Sequence, residues 1–366
     1  MCRPAPGGPG EAGRRRAARR CGRPSVEFPV RRALFAVALG VIVAAAVIVP
    51  LPVVAVEPGG AVPVPPRVRF GAGAPVHSVH GQLLLTAVRL SEPAAVDAVV
   101  DLIKPDVDLE PRPAVIPAGV RQDDYIRSQL RLFAETAQVA AAVGLQRAGF
   151  PVRVSGGGAR VVAVIAGSPA DGPLREGDVI TAVDGRPVRT ASDVGEATGR
   201  VTADRDVAVT FRRGDEVRTV TLRVRKVSQL GRPGLGVALT SLDPQIQLPF
   251  PVQVDQGDIG GPSAGLMVAL TVYDLVGPDL AQGRTIAGTG TIDLNGNVGP
   301  VGGLRQKMAA AKAARATVFV CPADEADEAR RAAGDALAVK PVRTFDEAVD
   351  ALSIPPVGAI LNPRGG

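Results

Sequence analysis

The sequence predicts a multidomain α+β protein with an N-terminal transmembrane helix, a β-rich module and a C-terminal α/β domain. Three observations support this fold class. Residues 33–56 contain no charged side chain. Residues 149–226 consist of short apolar runs separated by Gly, Pro and Asp turns, which is typical of a compact β-rich module. Residues 235–352 combine a long apolar run with an alanine-rich helical pattern. A length of 366 residues accommodates two or three domains of ordinary size.

A net charge of +6 has the sign that favours a nucleic-acid partner, but its location in the chain excludes that interpretation. Residues 1–32 contain nine arginines and two glutamates, so this segment carries +7 and the rest of the chain carries −1. The basic character therefore belongs to an Arg-, Gly- and Pro-rich tail, which we expect to be disordered and cytoplasmic. No nucleic-acid partner is predicted.

Residues 33–56 are predicted to form a single transmembrane helix. The helix-compatible part ends at Val49 and would rise about 25 Å at ~1.5 Å per residue, close to the ~30 Å hydrocarbon core of a bilayer. Pro50 and Pro52 follow it. The arginines before the apolar segment predict a cytoplasmic N-terminus and an extracytoplasmic remainder at the cell membrane. A cleaved secretory signal is the alternative interpretation.

Residues 57–148 are predicted to connect the membrane to the folded modules. Residues 57–66 form a Pro/Gly linker, and residues 67–148 form a strand-rich region followed by a helix over 121–148. His77 and His80 are the only histidines. Three residues apart on an extended segment, they point to opposite faces and do not favour a shared metal site. No metal or cofactor is predicted, and Cys321 is expected to be buried.

The run VVAVIAGSPADGPLREGDVITAVDGRPV, at 161–188, resembles the PDZ domains of bacterial proteases in its order of strand, Ser-Pro-Ala turn, Gly-Asp-Val-Ile strand and Asp-Gly turn. The resemblance implies a PDZ domain over 149–226 that binds peptide ends by strand addition. It places the carboxylate-binding loop at Gly149, Phe150 and Pro151. The alternative is a PDZ fold that only packs against its neighbour. A linker over 227–234 and a tail over 353–366 flank the catalytic candidate, 235–352.

Ser263 lies in Gly-Pro-Ser-Ala-Gly and formally matches the nucleophile elbow of α/β-hydrolases. That interpretation requires a histidine after the serine, and none follows, which opposes an esterase with a Ser-His-Asp triad. The remaining candidate for a base is lysine, because arginine does not lose its proton. The chain has five lysines, and composition alone leaves Lys307 and Lys312 equally eligible.

The segments GGPSAGLMVAL, IAGTGTIDLNGNVGPVGGLRQKMAAAKAA and ATVFVCP resemble the proteolytic domain of Lon-type proteases. The order of anchor, PDZ and proteolytic domain is similar to that of bacterial PDZ-containing Lon-like proteases. The resemblance implies a serine–lysine endopeptidase with Ser263 as nucleophile, Lys307 as base and Thr289 as the residue that steadies the lysine. One departure is Gly260, where Lon usually has an acidic residue three places before the serine.

The chemistry that this resemblance implies is acyl transfer to Ser263, with the backbone amides of Gly261 and Ser263 as candidate oxyanion donors. No Gly-x-x-x-x-Gly-Lys-Ser/Thr phosphate loop occurs in the sequence, which predicts ATP-independent cleavage of proteins or peptides. A homo-hexamer follows by analogy only. The competing hypothesis is a catalytically silent PDZ scaffold that binds peptides at the cell surface.

Overall fold

The computed structural model of the chain describes residues 27–199, 204–227 and 232–353. The predicted tail over 1–26, the middle of the predicted linker at 228–231 and residues 354–366 of the predicted C-terminal tail lie outside these residues.

The helices and strands of the described part alternate along the chain. The helices are α1 Glu27–Ile48, α2 Ala95–Asp101, α3 Arg112–Val115, α4 Gln122–Arg147, α5 Ala191–Gly199, α6 Gly265–Val276, α7 Leu304–Ala313, α8 Ala326–Ala333 and α9 Phe345–Ser353. The strands are β1 Val53–Pro63, β2 Val68–Phe70, β3 Gln82–Ser91, β4 Asp108–Pro111, β5 Arg153–Ser155, β6 Ala159–Val164, β7 Val179–Val183, β8 Arg186–Pro187, β9 Arg205–Arg213, β10 Glu216–Val227, β11 Arg232–Gly234, β12 Val237–Ser241, β13 Gln245–Gln247, β14 Val252–Val254, β15 Thr285–Gly288, β16 Thr291–Ile292, β17 Val298–Gly299, β18 Val318–Pro322 and β19 Ala338–Val342.

A six-stranded mixed sheet in the order β19-β18-β15-β3-β1-β4 is the centre of the α/β domain. The four strands from β19 to β3 are parallel, and β1 and β4 are antiparallel to their neighbours. Three of the six strands precede the β-rich module in the chain. The segment predicted as a separate strand-rich region therefore completes the α/β domain, and the β-rich module is inserted between α4 and β14.

Apolar side chains on both faces explain why these segments pack centrally. All five residues of β18 are buried, as expected for a strand that helices cover on both faces. Helix α6 is buried along nearly its whole length and packs between the sheet and α4. The backbones of α4 and α6 approach closely at Gly144, where a Cβ would lie 2.6 Å from the carbonyl oxygen of Ala269.

The β-rich module has its own sheet, in the order β11-β10-β9-β7-β6-β12, with β8 paired to β7. Its core consists mainly of aliphatic side chains such as Val161, Ile180 and Val209, together with Phe211. The last strand of this sheet, β12, comes from beyond the predicted end of the module at 226. It pairs with β6 in antiparallel register, Val237 opposite Val164.

The N-terminal part of the described chain differs from the sequence prediction. Helix α1 ends at Ile48, and no helix in the described ranges is both long and apolar enough to cross a bilayer. Residues 53–56, predicted as the end of the transmembrane segment, and most of the predicted linker over 57–66 lie in β1. Val54 and Ala55 are buried in the sheet because β1 pairs with both β3 and β4.

Candidate active site

Ser263 lies in a tight turn at the start of α6. Gly261 has a φ of 83°, in the region that favours glycine, and Pro262 begins a single 3-10 turn, Pro262–Ala264, that continues into the helix. Ser263 is half-buried. Its carbonyl oxygen accepts hydrogen bonds from the Gly290 amide at 2.8 Å and from the Thr289 hydroxyl at 3.1 Å. Both bonds come from the segment that follows β15, which fixes the backbone of Ser263.

Lys307 reaches Ser263 from α7. This helix begins after Gly303, which has a φ of 66° and lies so close to Val88 that a Cβ would meet its side chain at 2.6 Å. Only 2% of Lys307 is exposed. Its Nζ lies 2.9 Å from the Ser263 Oγ and 3.1 Å from the Thr289 Oγ1. The structure therefore brings together the three residues that the Lon resemblance selects.

Thr289 orients the amine of Lys307. It follows β15, is fully buried, and its hydroxyl donates to the carbonyl oxygen of Ser263. Because the hydroxyl proton of Thr289 is already donated, its Oγ1 accepts an N–H from Lys307. When the amine is neutral, this contact directs its lone pair toward the Ser263 hydroxyl, which is the geometry that proton abstraction requires.

Burial tunes the basicity of Lys307. Desolvation lowers the pKa of its amine from 10.5 to about 8, while the negative charge of Glu325 acts in the opposite direction. A lysine with a pKa near 8 carries a substantial neutral fraction at ordinary pH, as a general base must. Lys312, the other lysine of α7, is exposed and donates to the carbonyl oxygen of Ala332. The geometry thus favours Lys307 over Lys312.

Two acidic residues that the sequence did not single out support this arrangement. Glu325 accepts the amide of Val301 at 2.7 Å through Oε1, whereas its buried Oε2 has no partner among the described residues. Burial raises the pKa of Glu325, against the Val301 hydrogen bond and the charge of Lys307. Asp108 of β4 accepts a hydrogen bond from the side-chain amide of Gln306 at 2.7 Å and forms a salt bridge with Arg305. It thereby ties the first turn of α7 to the sheet.

The two predicted oxyanion donors differ in availability. The amide of Gly261 donates to the carbonyl oxygen of Gln129 on α4 at 2.8 Å and is therefore occupied. The amide of Ser263 has no acceptor among the described residues. The same approach of α4 explains Gly260, because a Cβ there would lie 2.8 Å from the Cβ of Gln129. An acidic side chain at 260 would have to displace Gln129.

Other candidate groups lie elsewhere. His77 contacts the carbonyl oxygen of Gly277 at 2.6 Å, and His80 pairs with Asp279 at 3.2 Å. Within the ranges that the structure describes, no group of three or more His, Cys, Asp or Glu side chains is arranged to hold a metal ion. Cys321 is fully buried, as expected, and burial raises the pKa of its thiol to about 12.

The predicted carboxylate-binding loop does not line the groove of the β-rich module. Gly149 follows the end of α4, and Phe150 packs edge-on against Phe250 at 5.3 Å in the core of the α/β domain. The groove of the module lies between α5 and β12, and its closed end is the turn at 234–237, Gly-Leu-Gly-Val. Gly149, Phe150 and Pro151 therefore lie outside this groove. The turn begins at the last residue of the predicted linker, 227–234, and continues into the segment predicted as the catalytic candidate, 235–352.

Comparison with known families identifies two domains. The family model of the PDZ domain matches residues 147–224. The family model of the Lon protease (S16) C-terminal proteolytic domain matches residues 250–354. The two expected domains are thus confirmed. The structure adds β1, β3, β4 and α4, which precede the PDZ domain, to the sheet and helices of the proteolytic domain.

Similar proteins share only parts of the chain. A Lon protease of Aquifex aeolicus (strain VF5) is 40% identical over 91 residues, covering 24% of this chain and 11% of that protein. Lon protease 2 of Bacillus subtilis (strain 168) is 31% identical over 122 residues, covering 33% of this chain and 21% of that protein. The chain thus spans about a tenth to a fifth of the length of these relatives. The crystal structure of the PDZ domain of an SdrC-like protein from Listeria monocytogenes is 24% identical, covers 22% of this chain and 86% of its own, and has a TM-score of 0.21.

Proposed function

We propose that this chain, which carries a PDZ domain and a Lon-type (S16) proteolytic domain, is a serine endopeptidase in which Lys307 is the general base for Ser263. The observation that carries the proposal is the 2.9 Å contact between the Lys307 amine and the Ser263 hydroxyl, with 2% of the lysine exposed. A buried amine with a lowered pKa next to a hydroxyl is the arrangement that activates a serine without histidine.

The reaction proposed is hydrolysis of a peptide bond through an acyl-enzyme. The neutral amine of Lys307 takes the proton of Ser263, whose oxygen attacks the carbonyl carbon of the substrate. The protonated amine then gives that proton to the leaving nitrogen. Water, deprotonated by the same amine, hydrolyses the ester and releases Ser263. Thr289 keeps the amine oriented through each transfer.

The developing negative charge on the substrate oxygen requires a fixed donor. The Ser263 amide meets this requirement, because it lies at the N-terminal end of α6 and has no acceptor among the described residues. The dipole of α6 favours negative charge at that end. The Gly261 amide contributes only if its bond to Gln129 opens on substrate binding.

Four further parts of the proposal extend it to the whole protein. The PDZ domain selects substrates, which are extended or unfolded polypeptides. Cleavage does not require ATP, since the sequence lacks a phosphate loop. The uncharged residues 33–48 and the arginines before them hold the protein at the cell membrane, with the catalytic domain outside. Assembly into a homo-hexamer is proposed by analogy with Lon-like domains.

The test of the catalytic proposal compares four forms of the full chain on unfolded casein without nucleotide. We expect wild type and Lys312→Ala to cleave, and Ser263→Ala and Lys307→Ala to lose at least ~10²-fold in rate. Lys312 is the matched control because it lies on the same helix and touches neither Ser263 nor Thr289. Equal cleavage by all four forms would refute the dyad. No cleavage by wild type, with intact peptide binding, would favour the scaffold hypothesis.

The membrane proposal has its own measurement. We expect the full chain to sediment with membranes and to resist extraction by sodium carbonate, with the proteolytic domain accessible to protease added outside spheroplasts. A chain without residues 1–48 should be soluble. Recovery of the full chain in the soluble fraction would refute the anchor without affecting the catalytic proposal.

A further inference from the structure

The loop between β16 and β17, residues 293–297, reaches from the proteolytic domain to the groove of the PDZ domain. It lies along a cavity of about 920 Å³. One side of this cavity is formed by α5, the turn at 234–237 and β12, all in the β-rich module. The other side is formed by Leu294, Asn295 and neighbouring residues of the loop, together with the end of α4. The groove is therefore lined by both domains.

The loop is held in place by polar contacts of its own. Asp293 accepts the backbone amides of Asn295 and Asn297, both at 2.9 Å. Arg147 donates to the carbonyl oxygen of Asn295 at 3.1 Å. The side-chain amide of Asn295 donates across the domain boundary to the carbonyl oxygen of Ser192, at the start of α5, at 2.7 Å. The loop is consequently a fixed wall of the groove.

The other wall shows which ligand the groove accepts. Leu235 and Gly236 are buried, and their backbone amides have no acceptor among the described residues. Two adjacent amides of a glycine turn that have no acceptor in the described part of the chain form a site for a carboxylate. Next to them, β12 is the last strand of its sheet, so its outer edge is open to pairing with another extended chain. An extended peptide with a free C-terminus satisfies both features.

We propose that a peptide bound in this groove by its C-terminal carboxylate also contacts Leu294 and Asn295, so that the proteolytic domain contributes part of the PDZ binding surface. The proposal rests on peptide binding by the PDZ domain, as in the proposed function, but not on catalysis by Ser263. Leu294 provides apolar contact for a peptide side chain. The side chain of Asn295 links α5 to the loop that the peptide contacts.

The loop at 293–297 is close in sequence to the residues that hold Ser263. Three residues separate Asp293 from Thr289, and the Gly290 amide between them donates to the carbonyl oxygen of Ser263. A peptide in the groove thus contacts the same segment of chain that holds the catalytic serine and threonine. Substrates selected by the PDZ domain are in direct contact with the proteolytic domain from the moment they bind.

Photocrosslinking of the full chain in its Ser263→Ala form tests this proposal, because that form binds without cleaving. The probe is a pool of octapeptides with randomised positions, a benzoylphenylalanine four residues from the end and a free carboxylate. A matched pool ends in an amide. We expect the free-acid pool to crosslink both to residues 234–241 and to residues 292–297, with at least threefold less product from the amide pool.

Substitution of the loop provides the second measurement. Leu294→Ala should lower the yield of crosslinks at 234–241 at least threefold, whereas Arg331→Ala, on the exposed side of α8, should leave it unchanged. Leu294 makes no side-chain hydrogen bond, so this variant leaves the link from Asn295 to Ser192 intact. Crosslinks confined to the PDZ domain, or equal crosslinking by both pools, would overturn the proposal. Casein cleavage by the Ser263-containing protein is scored separately, so failure of catalysis is distinguishable from failure of this site.

Discussion

At the scale of single residues, the proposed role of Lys307 as general base makes activity depend on the pKa of its amine. The amine must be neutral to accept the proton of Ser263, and its pKa is about 8. The neutral fraction therefore increases with pH, from roughly a tenth at pH 7 to most of the enzyme above pH 9. We expect kcat/KM on a fluorogenic peptide to rise about tenfold per pH unit below pH 7 and to level above pH 9. A profile flat from pH 6 to 9 would contradict lysine as the base.

Glu325 sets the position of that profile. Its negative charge favours the protonated form of Lys307, so its removal should lower the pKa of the amine. We expect Glu325→Gln to shift the midpoint of the kcat/KM profile to lower pH, raising the rate at pH 6.5 and leaving the plateau nearly unchanged. Glutamine retains an oxygen that can accept the Val301 amide, which keeps the turn before α7 in place. Glu328→Gln, an exposed carboxylate on α8, is the control and should not shift the midpoint.

We propose that Thr289 orients the amine of Lys307 and does not itself react. Thr289→Val keeps the shape but removes both hydrogen bonds, and we expect a loss of about tenfold to a hundredfold in kcat with little change in KM. Thr289→Ser should restore most of the rate. Thr86→Val is a matched control, because Thr86 is also buried and donates to the backbone of β15, at Gly288, without touching the amine. Equal loss in both valine variants would indicate a structural effect only.

At the scale of secondary-structure elements, the placement of α7 depends on β4. Asp108 holds Gln306 and Arg305, the two residues before the lysine. Burial alone would raise the pKa of Asp108, but the hydrogen bonds to Gln306 and Arg305 keep that pKa below its usual value. We expect Asp108→Asn to reduce kcat more than it raises KM and to leave the midpoint of the pH profile unchanged. Glu110→Gln, on the same strand but exposed, should have no effect on kcat.

The sequence predicted the elements that depend on interactions between nearby residues and missed those that depend on distant ones. The turn at Ser263 and helix α7 depend on nearby residues, and they were predicted. The contact between Ser263 and Lys307 joins residues 44 positions apart, and only the Lon resemblance indicated it. Asp108 lies 198 positions from Gln306, and no local pattern connects two such residues. The position of β12 was missed for the same reason, because its partner β6 lies more than 70 residues earlier.

At the scale of the whole molecule, the proteolytic domain is built from two separated parts of the chain. Its sheet places β3, from before the PDZ domain, directly beside β15, from after it. Strand β2 likewise pairs with β14 across the insertion. The chain therefore connects the PDZ domain to the proteolytic domain at two points, which limits how freely the PDZ domain moves. The loop at 293–297 adds a third connection, through Asn295 and Ser192.

The first strand of this sheet determines where the N-terminal segment can be removed. Residues 53–56 pair with β4, residues 55 and 56 also pair with β3, and Val54 and Ala55 are almost fully buried. A chain that starts at residue 49 keeps β1 whole, whereas one that starts at 57 loses the part that bridges its two neighbours. Burial of a valine contributes ~1.5–3 kcal/mol, and each lost backbone hydrogen bond adds to the cost.

We expect the chain from 57 to unfold at least about 5 °C below the chain from 49 in a thermal melt. It should also lose activity, because β4 anchors α7 through Asp108 and would no longer be paired to the sheet. Equal melting temperatures for the two chains would show that residues 53–56 contribute nothing to the sheet.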